Sequence, residues 1–305
     1  MDCVVGVMAH NEEASVGEAL GALAGQAVFC ARLRSIVVVA SGCTDGTSLR
    51  VREAARSDSR IRLIEQPARE GKASAIRLFL HEVPEAEILV LAGADTRPRP
   101  GALEALIAPF QDPTVGMTGG HPIPLNPQRG LVNGVVHTLW RLHHEIALMD
   151  PKLGELVAFR NDIGEFPADT AVDEAMIERI VRSRGLRTVY VPEAEVEMRG
   201  PDRWRELLAQ RRRIAAGHRL LEKRTGYRVS TASPLAALRG ASRLKPLGGR
   251  QILWLAAAIP LEALARLLGA WDAATGRDHV VWRMASSSKD LGHEPPSRGT
   301  GGATR

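Results

Sequence analysis

Four short apolar runs, Cys3 to Met8, Ser35 to Ala40, Ile61 to Ile64 and Ile88 to Ala92, recur along the first third of the chain. Each is followed by a stretch whose apolar residues return every three or four positions, so strand and helix alternate and the sheet is expected to be mostly parallel. Ser15 and Glu18 stand at Ser-x-x-Glu spacing ahead of Leu20 and Leu23, which predicts a capping box at the first helix. Ile88 to Ala92 suits a strand buried on both faces, and Gly93 permits a sharp exit. Asp95 is then the first charge presented beyond the sheet. The carboxyl ends of the strands are where open α/β sheets bind ligands.

The pattern loosens further on. Pro100 to Phe110 reads as a helix with Pro at its start, Val115 to Gly119 as a strand, and Gly119-Gly120-His121-Pro122 as a turn. A long amphipathic helix is predicted over 131–148, a strand with a charge at either end over 154–160, and a helix beginning at Asp173 and Glu174. Thr188 to Val191 reads as a strand and Trp204 onward as a strongly basic helix. Ile252 to Trp271 is rich in Leu and Ala but contains Pro260, Glu262 and Arg266, so it falls short of a spanning helix. It fits a buried helix, or an amphipathic one in a membrane interface with Trp254, Trp271 and Trp282 as anchors. Ser286 onward has the composition of a disordered tail. The expected organisation is an α/β domain over 1–230, a helical segment over 231–285 and a tail over 286–305.

Composition narrows the class. With 305 residues the chain can bury a full core; 40 Lys plus Arg face 35 Asp plus Glu, a formal charge of +5. Much of the excess lies in the cluster Arg203, Arg205, Arg211, Arg212, Arg213 and Arg219, which suits phosphates, an anionic surface or nucleic acid equally. Aromatics are only 4% of residues and no RNA-recognition or zinc-finger signature is present, which argues against nucleic acid. Cys3, Cys30 and Cys43 lack CxxC spacing and read as reduced thiols. His143 and His144 lack metal-ligand spacing and read as core or capping residues. The first residues have no basic n-region, so no signal peptide is expected.

Several stretches have chemical content. His10-Asn11-Glu12 follows the first strand, where an amide and a carboxylate suit a base or ribose and equally cap a helix. Ser41-Gly42-Cys43-Thr44-Asp45-Gly46-Thr47 follows the second; its small residues let backbone amides approach a nucleotide at a helix N-terminus. Glu70-Gly71-Lys72 opens the next helix with a cation suited to phosphate. Gln210 and Arg213 are three apart and share a helix face, while Arg211 and Arg212 point elsewhere, at least one of them to solvent.

In order and at fitting intervals, these stretches, Gly93-Ala94-Asp95, Asp173-Glu174 and Gln210-Arg211-Arg212-Arg213-Ile214 together resemble a family 2 glycosyltransferase of the GT-A fold, over roughly residues 3 to 221. The resemblance implies a Rossmann-like, mostly parallel central sheet flanked by helices, with a C-terminal helical extension. It implies donor contacts at His10, Asn11, Glu12, Ser41, Asp45, Lys72, Ala94 and Asp95, with Asp95 holding Mg2+ or Mn2+ beside the diphosphate of a sugar nucleotide. It implies a base at Asp173 or Glu174, and Gln210 with Arg213 on the leaving diphosphate; Glu155 and Arg160 fall near the acceptor side, and His218, one helical turn beyond Arg213, is expected to line the same cleft. Two departures stand out: Ala40 and Gly93 occupy positions where the family often has acids. A lone Asp95 leaves the metal dependent on the diphosphate itself.

The expected activity is therefore inverting transfer of a sugar from a nucleotide-diphosphate sugar to a hydroxyl of a lipid, glycan or small molecule. The expected setting is cytoplasmic, peripheral to the membrane through 252–271. A non-catalytic sugar-nucleotide binder is the alternative; a nucleotidyltransferase would need a Gly-rich activating loop that the sequence lacks.

Overall fold

Apolar residues at every second position of the first strand turn alternately to two different cores, and this decides the layering. In the computed structural model, which describes residues 1–83, 85–244, 248–277 and 279–282, β1 (Asp2–Ala9) sends Cys3, Val5 and Val7 to one face and Val4 to the other. The first face is covered by α1 (Val16–Ala24), α2 (Thr47–Ser57) and α4 (Ala102–Ile107), which contribute Leu20, Leu23, Val51, Leu103 and Leu106. The second is covered by α3 (Lys72–Glu82) and α6 (Asp173–Ser183), through Ile76, Phe79, Ile177 and Ile180. Gly6 admits the Phe79 ring: a Cβ there would lie 2.8 Å from it.

Around β1 lie β2 (Arg32–Ser41), β3 (Ile61–Gln66) and β4 (Ile88–Gly93), all parallel, as the alternation of strand and helix requires. The sheet continues through β5 (Thr96–Pro98), β6 (Val115–Pro124), β7 (Leu156–Arg160) and β8 (Arg187–Met198) in the spatial order β3-β2-β1-β4-β7-β6-β8-β5. Strand β7 is antiparallel to both neighbours, and its register sets Ala92 against Leu156 and Ile88 against Arg160. The start of β7 therefore meets the carboxyl end of β4.

A third apolar cluster, Val135, Val136, Leu207, Ala258 and Leu261, joins α5 (Leu131–Ala147), α7 (Trp204–Thr225) and α9 (Gly249–Thr275). Helix α8 (Pro234–Arg243) packs beside α5. Helix α9 is 27 residues long and, by length and composition, passes as a candidate span. Its two acids are nonetheless committed to the protein, since Glu262 pairs with Arg211 and Asp272 with Arg212.

Several expectations need correction. Gly119 to Pro122 is strand, not turn: a Cβ at Gly119 would meet Leu153 and one at Gly120 the Ala194 carbonyl oxygen, so the glycines admit neighbours into β6. The helix expected from Pro100 starts at Ala102 and passes into a 3-10 turn over Ala108–Gln111, because Pro109 has no N–H to continue the α ladder. No capping box forms at α1. The Ser15 hydroxyl donates to Glu12 Oε2 at 3.0 Å, while Glu18 approaches Arg97 at 3.8 Å. Trp254 is buried against Gly134 and Trp282 lies beneath Arg213; of the three expected membrane anchors, only Trp271 is largely exposed, at 68%. The expected tail over 286–305 lies outside the described residues. Cys3, Cys30 and Cys43 are free thiols.

Candidate active site

The carboxyl ends of β1, β2 and β4 deliver their loops to one rim, and a cavity of about 1510 Å³ opens there. His10, Glu12 and Ser41 line one side of it. The His10 ring Nδ1 lies 2.7 Å from the Ser41 carbonyl oxygen. Ser41 Oγ donates to Gln66 Oε1, whose amide nitrogen donates to Glu70 and Ser74. Glu12 is buried and receives the Ser15 hydroxyl.

Three expected donor contacts stand outside the cavity wall. Ala94 is buried in the core on the first face of the sheet. Asn11, at φ 54°, accepts from Thr44 N at 2.7 Å and so holds the two loops together. Asp45 is exposed and accepts from Thr47 N at 3.0 Å and Glu13 N at 3.2 Å, a turn-and-cap role at the start of α2.

The middle of the cavity is built from charges on four elements. Lys72 opens α3, Asp95 follows β4, Glu155 precedes β7, and Asp173 and Glu174 open α6. Lys72 Nζ bonds Glu174 Oε1 at 2.7 Å and pairs with Asp173 Oδ2 at 2.9 Å, so its ammonium crosslinks the acid pair. Burial works against that ammonium, but the two carboxylates raise its pKa and keep it charged. Glu174 is likewise opposed by burial, yet Lys72 draws its carboxyl down to about 2. Asp173 moves the other way: it is 3% exposed, burial raises its pKa, and its Oδ1 has no hydrogen-bond partner among the described residues. An unsatisfied buried acceptor costs roughly 1–3 kcal/mol, a cost that an incoming hydroxyl donor would relieve.

Glu155 sits at φ 62°, a left-handed conformation unusual for a side chain of its size. Its carboxyl is pushed up to about 7, by burial first and then by the negative charges of Asp95 and Glu174. The β4/β7 register brings these acids together. Arg160, at the far end of β7, instead donates to the carbonyls of Val115, Phe110 and Asp112 and has a structural role.

The meeting of the Asp95 and Glu155 carboxyls in one cavity is the observation against which a divalent cation is tested. Two hard oxygen donors facing one cavity fit Mg2+ or Mn2+ held jointly with a substrate's phosphates; they do not make a closed protein cage, and no cluster of three or more ligating side chains exists among the described residues. Gly93 bears on this fit. A Cβ there would lie 2.7 Å from Asp95 Oδ1, so the missing acid leaves space that the Asp95 carboxylate occupies.

Helix α7 forms the far wall with Gln210, Arg213 and His218. Arg213 donates to the Ala171 carbonyl at 3.0 Å, and among the described residues no carboxylate lies within ion-pairing distance of it. Arg211 and Arg212 form no solvated face: both are turned to α9, where Arg212 bonds Asp272 at 2.6 Å through each of two nitrogens. His218 is kept neutral by burial. His144 bonds the Tyr190 hydroxyl at 2.8 Å and stacks on His121. Missed altogether as site residues were Arg69 and the segment 279–282, which also line the cavity; Arg69 lay next to a motif already singled out, whereas the segment has no sequence signal.

Residues 4–150 match the family described as Glycosyl transferase family 2. Among solved structures the chain is similar to a mannosyltransferase from Pyrobaculum calidifontis in complex with GDP-Man and Mn2+, at 24% identity over 90% of this chain and 86% of that one, with a TM-score of 0.62. It is also similar to glucosyl-3-phosphoglycerate synthase from Mycobacterium tuberculosis in complex with Mn2+, UDP and glucosyl-3-phosphoglycerate, at 18% identity over 75% and 81% of the two chains, with a TM-score of 0.51. At such identities the likeness is one of fold. No curated protein sequence matches the chain.

Proposed function

We propose that this chain, a glycosyltransferase whose residues 4–150 belong to family 2, moves a sugar from a nucleoside-diphosphate donor to a hydroxyl acceptor with inversion, in one displacement. The observation that carries this reading is the convergence of Asp95, Lys72, Asp173, Glu174 and Arg213 on one cavity from stretches spread over the chain. His10, Glu12 and Ser41 form the wall for the nucleoside, while Asn11 and Asp45 shape the loops behind it. Asp95 and Glu155 would hold Mg2+ or Mn2+, which when bound supplies positive charge to the diphosphate. The mannosyltransferase and synthase named above were solved with such metals and with GDP-Man or UDP, and that supports the choice of donor class.

Asp173 is the base in this reading. Its unpartnered Oδ1 and raised pKa suit it to accept a proton, whereas Lys72 holds Glu174 ionised and weakly basic. The acceptor oxygen forms the new bond to the anomeric carbon as its proton passes to Asp173. The bond from that carbon to the diphosphate breaks, and its electron pair leaves with the diphosphate oxygen. Arg213, with Gln210 on the same helix face, stabilises the charge that gathers there.

The exposed outer side of α8 and α9 supports a place at the cytoplasmic face of a membrane. Leu235, Leu238, Leu267 and Trp271 are exposed on these helices, as are Arg239, Arg243 and Arg250. Glu262 and Asp272 are turned inward, which leaves an apolar and cationic surface suited to anionic lipid.

Donor turnover assayed across a panel of sugar nucleotides with Mn2+ tests the central reading. Asp95→Ala and Asp173→Ala are expected to abolish it; undiminished turnover in both variants, or binding without turnover in the wild type, rejects the assignment.

A further inference from the structure

Beyond α9 the chain turns at Gly276 and comes back against the cavity as residues 279–282. Three contacts tie this strap to the cavity, two of them to the donor loop and one to Arg213. The Val280 carbonyl oxygen lies where a Cβ on Gly71 would be, only 2.5 Å away, so the close approach requires the glycine that also opens α3 at φ 97°. Arg69 Nη2 donates to the Trp282 carbonyl. The guanidinium of Arg213 lies over the Trp282 ring, 4.0 Å from its centroid.

The strap is also tied to the helix that carries Arg213. His279 Nε2 lies 2.9 Å from Asp272 Oδ2, and Asp272 bonds Arg212 through both oxygens. Residues 279–282 thus lie between Gly71 of the donor loop and α7.

We propose that Trp282 is a positioning residue for Arg213, and that the C-terminal strap is a wall of the transferase site; this rests on the reading of the cavity as a sugar-nucleotide site. The physical reason lies in how an indole holds a guanidinium. Stacking fixes the plane through the face of the ring, leaves the edge N–H donors available, and adds no negative charge. A carboxylate would fix the same group but neutralise it. Of the five donors of Arg213 one is taken by the Ala171 carbonyl, and among the described residues no other acceptor bonds the rest, which face the cavity. Arg213 acts on the leaving diphosphate; Trp282 acts through Arg213.

The test is a double-mutant cycle in the full chain, with Trp282→Leu, Trp282→Phe, Arg213→Ala and the Trp282→Leu/Arg213→Ala pair. The readouts are kcat and KM for UDP-Glc and GDP-Man with Mn2+, calorimetric affinity for UDP and GDP with Mn2+, and the melting temperature. Trp282→Leu is expected to lower kcat about tenfold with an unchanged melting temperature, and Trp282→Phe to restore most of it, because a phenyl face still accepts the cation. The double variant is expected to be no worse than Arg213→Ala alone. Multiplying losses in the double variant, a Phe variant no better than Leu, or a Leu variant as active as wild type each overturn the proposal alone. A wild type that neither turns over a donor nor binds either nucleotide overturns the donor-site reading, and this proposal with it.

Discussion

At the rim of the sheet charges are left unbalanced, whereas between α7 and α9 they are matched almost one for one. Among the described residues Asp173 Oδ1 has no hydrogen-bond partner and no carboxylate pairs with Arg213, while burial and neighbouring acids push Glu155 up to about 7. A few residues along the same helix, Arg212 meets Asp272 through two bonds and Arg211 meets Glu262. The difference separates two uses of one residue type. Satisfied charges hold helices together; unsatisfied ones are available to a substrate.

The widest break in that contrast is expected from Asp173→Asn. Turnover should fall by roughly 10²–10⁴-fold, the usual weight of a general base, while the melting temperature stays at or above that of wild type because a neutral amide replaces a carboxyl that burial already disfavours. A variant that loses stability and activity together would place Asp173 among the structural charges.

Asp272→Ala should do the reverse. It strands Arg212 beside α9, an expected loss of about 3 kcal/mol and roughly 5–10 °C in melting temperature. The same pair makes stability depend on pH. Hydrogen bonding to Arg212, and then to His279, holds the Asp272 carboxyl at about 2 against an ordinary 3.8. Its folded value is below its unfolded one, so the stabilisation is complete above about pH 4 and is lost as pH falls toward about 2. Acid titration of the melting temperature should show a shallower slope in Asp272→Asn than in wild type, the remainder coming from other lowered carboxylates such as Glu174.

Gly93→Asp sharpens the comparison with the smallest effect. By charge alone a second acid would strengthen metal binding, but its Cβ would lie 2.7 Å from Asp95 Oδ1 and displace that carboxylate. Activity with Mn2+ should therefore fall severalfold, not rise; a gain would show that the rim accepts a second carboxylate without rearranging.

Much of the first half of the chain was legible because its signals are local. Each apolar run ends a strand, and the residues just past it, His10, Ser41 and Asp95, reach the rim by the geometry of a parallel sheet. Asp173 and Glu174 were legible as a helix start for the same reason. The charges of α7 were not. Spacing put Gln210 and Arg213 on one face, but whether Arg211 and Arg212 met solvent depended on a helix some fifty residues away. Trp254 and Trp282 were misread alike, since an indole in an apolar stretch has the same pattern whether it meets a lipid, a glycine or a guanidinium.

The sequence by itself determined the alternation of strands and helices, the order of the loops at the rim and the residue types they present, because those follow from periodicities of two and 3.6 and from the direction of the chain. Tertiary structure alone decided that Glu155 faces Asp95 while Arg160 does not, since this turns on the antiparallel register of β7 against β4. It alone decided that Lys72 joins Asp173 to Glu174 and that Trp282 lies beneath Arg213. Contacts between residues 69 or 102 positions apart leave no period in the chain; they arise only when packing brings separate elements to the same place.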